Sequence, residues 1–332
     1  MSFRRGVTLI ELLVVLGLIA LLTALFLPAV QRSRESARAL DCRNRLKQIG
    51  LALEAFESAR QSFPPRAIDR QGVAPPFSTV GVSTQYSLLP YLDQRALFDR
   101  VDIQGESGLG WHYDPPTSAV NTAVMTTPVP VFVCPSDPLP HGRISYRASR
   151  GTTPQWHTTI RDEPPDNPYN GARAGFLAAK RRAEITDGSS QTVFFSERLF
   201  GDVNEGVYTP SRDGAYVDSD QRTAAMMERA CFTVGASPSA HGSWLGTSWL
   251  APTLAQTQYN HILGPNSAIP DCGYCGYGSC GSGGAFSARS LHPGGVHVLL
   301  GDGSVRFANQ SVDLKLWRAL GTIDSSESIG DW

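Results

Sequence analysis

From Leu12 to Val30 the chain carries 19 consecutive residues without a charge, and this run limits what the chain can fold into more than any other feature. As a helix rising about 1.5 Å per residue it crosses a hydrocarbon core of about 30 Å. A secretory signal has a shorter apolar region, about 7–15 residues, closed by a small-residue cleavage site. Here the run is longer, and its glycine, Gly6, precedes it behind the basic pair Arg4 and Arg5. Glu11 stands at the edge of the run. A carboxylate costs about 2.5–3.5 kcal/mol at the centre of a membrane helix, so it calls for a partner. Cleavage after Gly6 would give Val7 a new α-amino group and make Glu11 the fifth residue of the mature chain. A carboxylate one helical turn from a cationic terminus can pair with the amine of a neighbouring subunit in a helical array.

The charges beyond the run leave topology undecided. Arg4 and Arg5 precede it, but Arg32, Arg34, Arg38, Arg43, Arg45 and Lys47 come after it, offset only by Glu35 and Asp41. Over the whole chain Lys+Arg 29 balance Asp+Glu 30, and no single-sign block marks a nucleic-acid partner. Leu46, Ile49, Leu53 and Phe56 recur at spacings of three and four, so the helix continues to about residue 60, where Ser62-Phe63-Pro64-Pro65 ends it. Gly 32 and Pro 23 predict many turns in the remainder of the chain. Tyr86–Leu92 and Ala96–Phe98 read as short helical pieces, and Pro130–Cys134 and Thr192–Phe195 as strands. Val296–Leu300 and Ser304–Phe307 flank Gly301-Asp302-Gly303 as a hairpin. The expected fold is α+β, a long N-terminal helix on a mainly antiparallel sheet, with residues 201–285, rich in Gly, Pro, Ser and Thr, as an irregular insertion.

The segment Gly6-Val7-Thr8-Leu9-Ile10-Glu11-Leu12 resembles the class III signal of type IV prepilins and type II secretion pseudopilins, with Val7 where the family most often has Phe. The resemblance implies a leader 1–6 removed by the prepilin peptidase, methylation of the new amine, and a pilin-like helix 7–60 whose part 9–30 spans the membrane. It also implies an exported body 61–332 on a single-pass protein of the cytoplasmic membrane. The implied partners are other pilin or pseudopilin subunits in a homo-oligomeric filament and the secretion or pilus assembly machinery. A membrane-anchored, exported ligand-binding domain that does not polymerise is the alternative, and an enzyme the third. A second resemblance, to large prepilin-like proteins with a His, nine residues, Asp-Gly motif, rests on Cys42–Gly50, Leu89–Leu92, Phe132–Asp137, Ile185–Gly188 and His292-Pro293-Gly294-Gly295 through Asp302-Gly303. In that layout Cys42 lies beside Cys134, so their pairing would staple body to helix.

Cysteine chemistry depends on the compartment. Cys272, Cys275 and Cys280, with Cys231 or His261 as a fourth ligand, would suit zinc. Outside the cytoplasm disulfides are the expected use, ahead of zinc and of free thiols; Cys231 with Cys272 and Cys275 with Cys280 would use the four cysteines beyond Cys42 and Cys134, one choice among the fifteen pairings that six cysteines allow. His292, Asp302 and a serine lack a nucleophile elbow, so catalysis is not expected. His292 instead reads as part of a backbone-shaping loop whose imidazole bonds a nearby carbonyl or carboxylate, and Asp302 as a hairpin-turn residue. No cofactor is expected, calcium on Asp187, Glu197 and Asp302 being the one candidate.

Overall fold

The computed structural model describes residues 8–64, 67–68, 82–103, 119–140, 144–154, 181–217, 223–235, 238, 240–276 and 279–324. Helix α1 (Leu9–Arg60) begins at a capping box: the Thr8 hydroxyl accepts from the Glu11 amide, and the Glu11 carboxylate accepts from the Thr8 amide at 2.8 Å. Two amides that a helix start leaves without partners are thereby satisfied. The helix runs through Pro28 and ends at Gln61, which adopts the left-handed conformation (φ 55°).

The two halves of α1 meet different surroundings. Every residue from Leu9 to Val30 is exposed. Further on, Cys42, Leu46, Ile49, Gly50, Ala52 and Leu53 are buried, with Phe56 packed against them, which is the stripe that the spacing predicts. By length and composition α1 is the one helix among the described residues fit to cross a membrane.

The body is built from β1 (Ala67–Ile68), β2 (Val82–Ser83), α2 (Thr84–Leu88), α3 (Arg95–Phe98), α4 (Ala119–Met125), β3 (Tyr146–Ser149), β4 (Val193–Glu197), β5 (Gly214–Val217) and α5 (Ala224–Val234), followed by β6 (His241–Gly242), β7 (Gln258–Tyr259), β8 (Cys272–Gly276), β9 (Ser279–Ala285), β10 (Gly295–Leu300), β11 (Val305–Asn309) and α6 (Leu314–Leu320). One sheet has the order β11-β10-β4-β3-β7, antiparallel except for β3 beside β7. The other has the order β6-β5-β8-β9, with β5 and β8 parallel, and β1 pairs with β2 alone. The fold is α+β, with α1 laid over β10. Its stripe shares a core with Tyr146, Phe194, Phe195 and Leu299 from three strands of the first sheet. The predicted hairpin is β10–β11. Its turn is closed by Asp302, whose carboxylate accepts from the Ser304 amide at 2.9 Å and hydroxyl at 2.6 Å, and by Gly303 at φ 77°.

Two expectations are corrected. Pro130–Cys134 is not a strand: Pro130–Phe132 form a single 3-10 turn, with the Phe132 amide donating to Val129. Proline at its start fixes φ and offers no ladder donor, while Phe132 fills the core. Residues 201–285 are irregular only in their connections, since they contain the second sheet and α5. The glycines there permit close strand approach: a Cβ on Gly284 would lie 2.3 Å from the Cys272 carbonyl oxygen.

Candidate functional site

The body grips the second half of α1 through polar contacts on both flanks of its buried stripe. Arg45 donates to the Pro130 carbonyl at 2.6 Å and to that of Val133, Lys47 donates to the Gly303 carbonyl at 2.6 Å, and Arg182 pairs with Glu57. The centre of the grip is buried. Cys42 of α1 is bonded to Cys134, just past the 3-10 turn, closing a sequence separation of 92 with a Cα–Cα distance of 5.1 Å. Against this disulfide lies His292, in the loop before β10, with its Nε2 3.7 Å from the Cys134 sulfur.

His292 bridges helix and sheet. Its Nδ1 donates to Glu35 of α1 at 2.9 Å, and its Nε2 faces Glu197 of β4 at 3.2 Å. Glu35 also accepts from the Ser136 hydroxyl and pairs with Arg38. Glu197 in turn accepts from the His297 amide at 2.7 Å and faces its Nδ1 at 3.1 Å. Burial works against a charge on Glu35, Glu197 and His292, but the pairing prevails. The Glu197 carboxyl is held below its usual range by His292 and His297, and that of Glu35 by Arg38 and His292. The imidazole of His292 is held above its usual value by Glu197 and Glu35. The arrangement is an ion-paired clasp joining α1 to β4. A second buried network lies deeper, where Asp271 accepts from Arg198 at 2.6 Å, from Arg289 at 3.1 Å and from the Ser287 hydroxyl at 2.6 Å.

A family model described as a protein of unknown function, DUF1559, matches residues 31–315, from the body-facing half of α1 to α6. The chain belongs to the DUF1559 family. No curated protein and no solved structure matches it. The match opens directly after the exposed apolar stretch, so DUF1559 membership concerns the clasp and the body, and the meaning of Leu9–Val30 has to come from the helix itself.

The residues singled out in the sequence divide accordingly. Gly6 and Val7 lie outside the described residues, and Glu11 sits exposed in the first turn of α1. Cys231 of α5 is bonded to Cys272 of β8, which removes both from a zinc site. The backbone register sets Cys275 opposite Cys280, whose side chains lie outside the described part of the chain. His261, the other zinc candidate, is instead enclosed by Tyr259 and Trp317. The calcium candidates do not gather among the described residues: Glu197 faces the two histidines, Asp302 closes its turn, and Asp187 accepts from Thr322 at 3.3 Å. The two ends of the His292–Asp302 motif, at opposite ends of β10, do different work. Residue spacing carried no sign of Glu35 as the partner of His292, since 257 residues separate them.

Proposed function

We propose that this DUF1559 protein is a pilin- or pseudopilin-like structural subunit of a type II secretion or type IV pilus-like filament. The prepilin peptidase cuts between Gly6 and Val7, residues 9–30 hold the chain in the cytoplasmic membrane with its body exported, and the assembly machinery then packs copies together through α1. The observation that supports this reading most is the division of α1. Its apolar first half is exposed along its whole length and touches nothing among the described residues, and its second half is built into the body. The first buried residue, Cys42, lies about 46 Å along the axis from Glu11. An apolar helix of that reach suits a lipid bilayer before assembly and a bundle of like helices after it. Its lone carboxylate, Glu11, supplies the charge that a neighbouring Val7 amine needs. An anchor that never polymerises would need neither a cleavable Gly6 nor a carboxylate at that position.

Mass spectrometry of the N-terminus of the chain, taken from cells that possess the peptidase, tests the proposal. The expected result is a chain that begins at Val7 with a methylated amine. Finding residues 1–6 still attached would overturn it.

A further inference from the structure

Four potential metal ligands meet at the clasp, and the function proposed above uses none of them as ligands. The sulfurs of Cys42 and Cys134, a Glu197 oxygen and a His292 nitrogen all lie within 4.8 Å of one another, and all four residues are buried. They arrive from four separate segments: α1, the stretch after the 3-10 turn, β4 and the loop before β10. The Nε2 of His292 stands 3.7 Å from the Cys134 sulfur and 3.2 Å from Glu197 Oε1. These separations resemble those between neighbouring ligands around one tetrahedral ion with bonds of about 2.0–2.3 Å. The outer contacts also fit. The Nδ1 of His292 donates to Glu35, the carboxylate support that orients metal-binding imidazoles, and Glu197 is itself held by the His297 amide.

We infer that, before the Cys42–Cys134 bond forms, the chain binds one zinc ion through Cys42, Cys134, His292 and Glu197, and that oxidation of the two thiolates expels it. Two thiolates, one imidazole and one carboxylate are a donor set suited to zinc. Binding releases the two thiol protons and the Nε2 proton of His292. Expulsion uses a disulfide oxidant: the thiolates give up two electrons and form the Cys42–Cys134 bond, the oxidant takes those electrons and two protons from solvent to become two thiols, and the ion leaves as His292 regains its proton. Both states staple α1 to the body at the same point, so helix and body are joined before and after oxidation.

The test uses the full-length chain in detergent, reduced with a phosphine, equilibrated with zinc and dialysed. Metal content is then compared with that of Cys42→Ser/Cys134→Ser, whose other four cysteines give the background, and with that of His292→Ala, which keeps all six. The wild type is expected to hold one zinc equivalent more than either variant, and to lose it on oxidation as peptide mapping recovers the Cys42–Cys134 link. X-ray absorption of the zinc-loaded wild type, which depends on no variant folding, should give two sulfur ligands with nitrogen and oxygen completing the shell. Equal zinc content in the reduced wild type and the double cysteine variant, or a four-sulfur shell, would overturn the inference.

Discussion

His261 offers a sharp test of the packing between α6 and the sheets. Its ring is buried and stacked on Trp317 at 4.2 Å, with Nδ1 2.8 Å from the Trp317 carbonyl oxygen and Nε2 2.8 Å from the Tyr259 hydroxyl. The neutral ring satisfies both contacts, donating from Nδ1 and accepting at Nε2. Gly321 closes over it, where a Cβ would lie 2.4 Å from the imidazole. Burial drives its pKa down to about 3, the bond to the Trp317 carbonyl opposing only part of the shift. Because the folded pKa lies below the unfolded value of about 6.5, the native state binds fewer protons throughout that window. Its contribution is complete above pH 6.5 and is lost as pH falls towards 3. The loss is about 2 kcal/mol between pH 7 and pH 5 and on the order of 5 kcal/mol over the whole window.

The assay is urea unfolding of the full-length chain in detergent at pH 7, 6 and 5, beside His261→Gln, whose amide can donate to Trp317 and accept from Tyr259 without titrating. Other groups titrate in this range. Asp213, for example, is pushed up to about 6 by burial, so its contribution runs the opposite way and is lost as pH rises. Subtracting the variant's curve from the wild-type curve leaves the His261 part, which should shrink by about 2 kcal/mol from pH 7 to pH 5. Curves that stay parallel to within about 0.5 kcal/mol would refute the reasoning.

Two further predictions concern the core. Replacing Cys42 and Cys134 together by alanine frees a loop of sequence separation 92 and should cost about 2–5 kcal/mol in denaturant unfolding, with protease cuts in α1 appearing first. Asp271→Asn leaves the fully buried Arg198 with a neutral partner and should cost about 3–5 kcal/mol, read as a fall in the thermal unfolding midpoint, whereas an unchanged midpoint would show that the pair is not needed.

Much of this architecture was legible in the sequence because its signals are local. The end of α1 near residue 60, its buried stripe and the β10–β11 hairpin all follow from spacing, proline and a tight Asp-Gly turn. The Cys42–Cys134 bond followed from the family landmarks. The clasp was not legible. Glu35 reads as an offset to the surrounding arginines and Glu197 as a loop oxygen for calcium, and only the register of β4 beside β10 brings the latter to His292 and His297. His261 looks like a zinc ligand until the fold puts Trp317 across its ring. The second sheet was hidden for a related reason: glycine-rich composition signals loops, but in β8 and β9 it serves two backbones that must come close.

If α1 is an assembly helix, its one carboxylate between Leu9 and Val30 has to matter to polymerisation, and Glu11→Ala removes it. The substitution removes a costly carboxylate from the apolar segment, so membrane insertion should be kept or improved. The body, which among the described residues grips α1 from Glu35 onward, should fold unchanged. Assembly should fail, because the amine of an incoming subunit would be buried without a partner at a cost of about 3–5 kcal/mol. The measurement is recovery of the chain in sheared filaments from cells expressing wild type or Glu11→Ala at equal membrane content. Filaments should contain the wild-type chain and little or none of the variant; equal filament yield from the two would contradict an assembly role for α1.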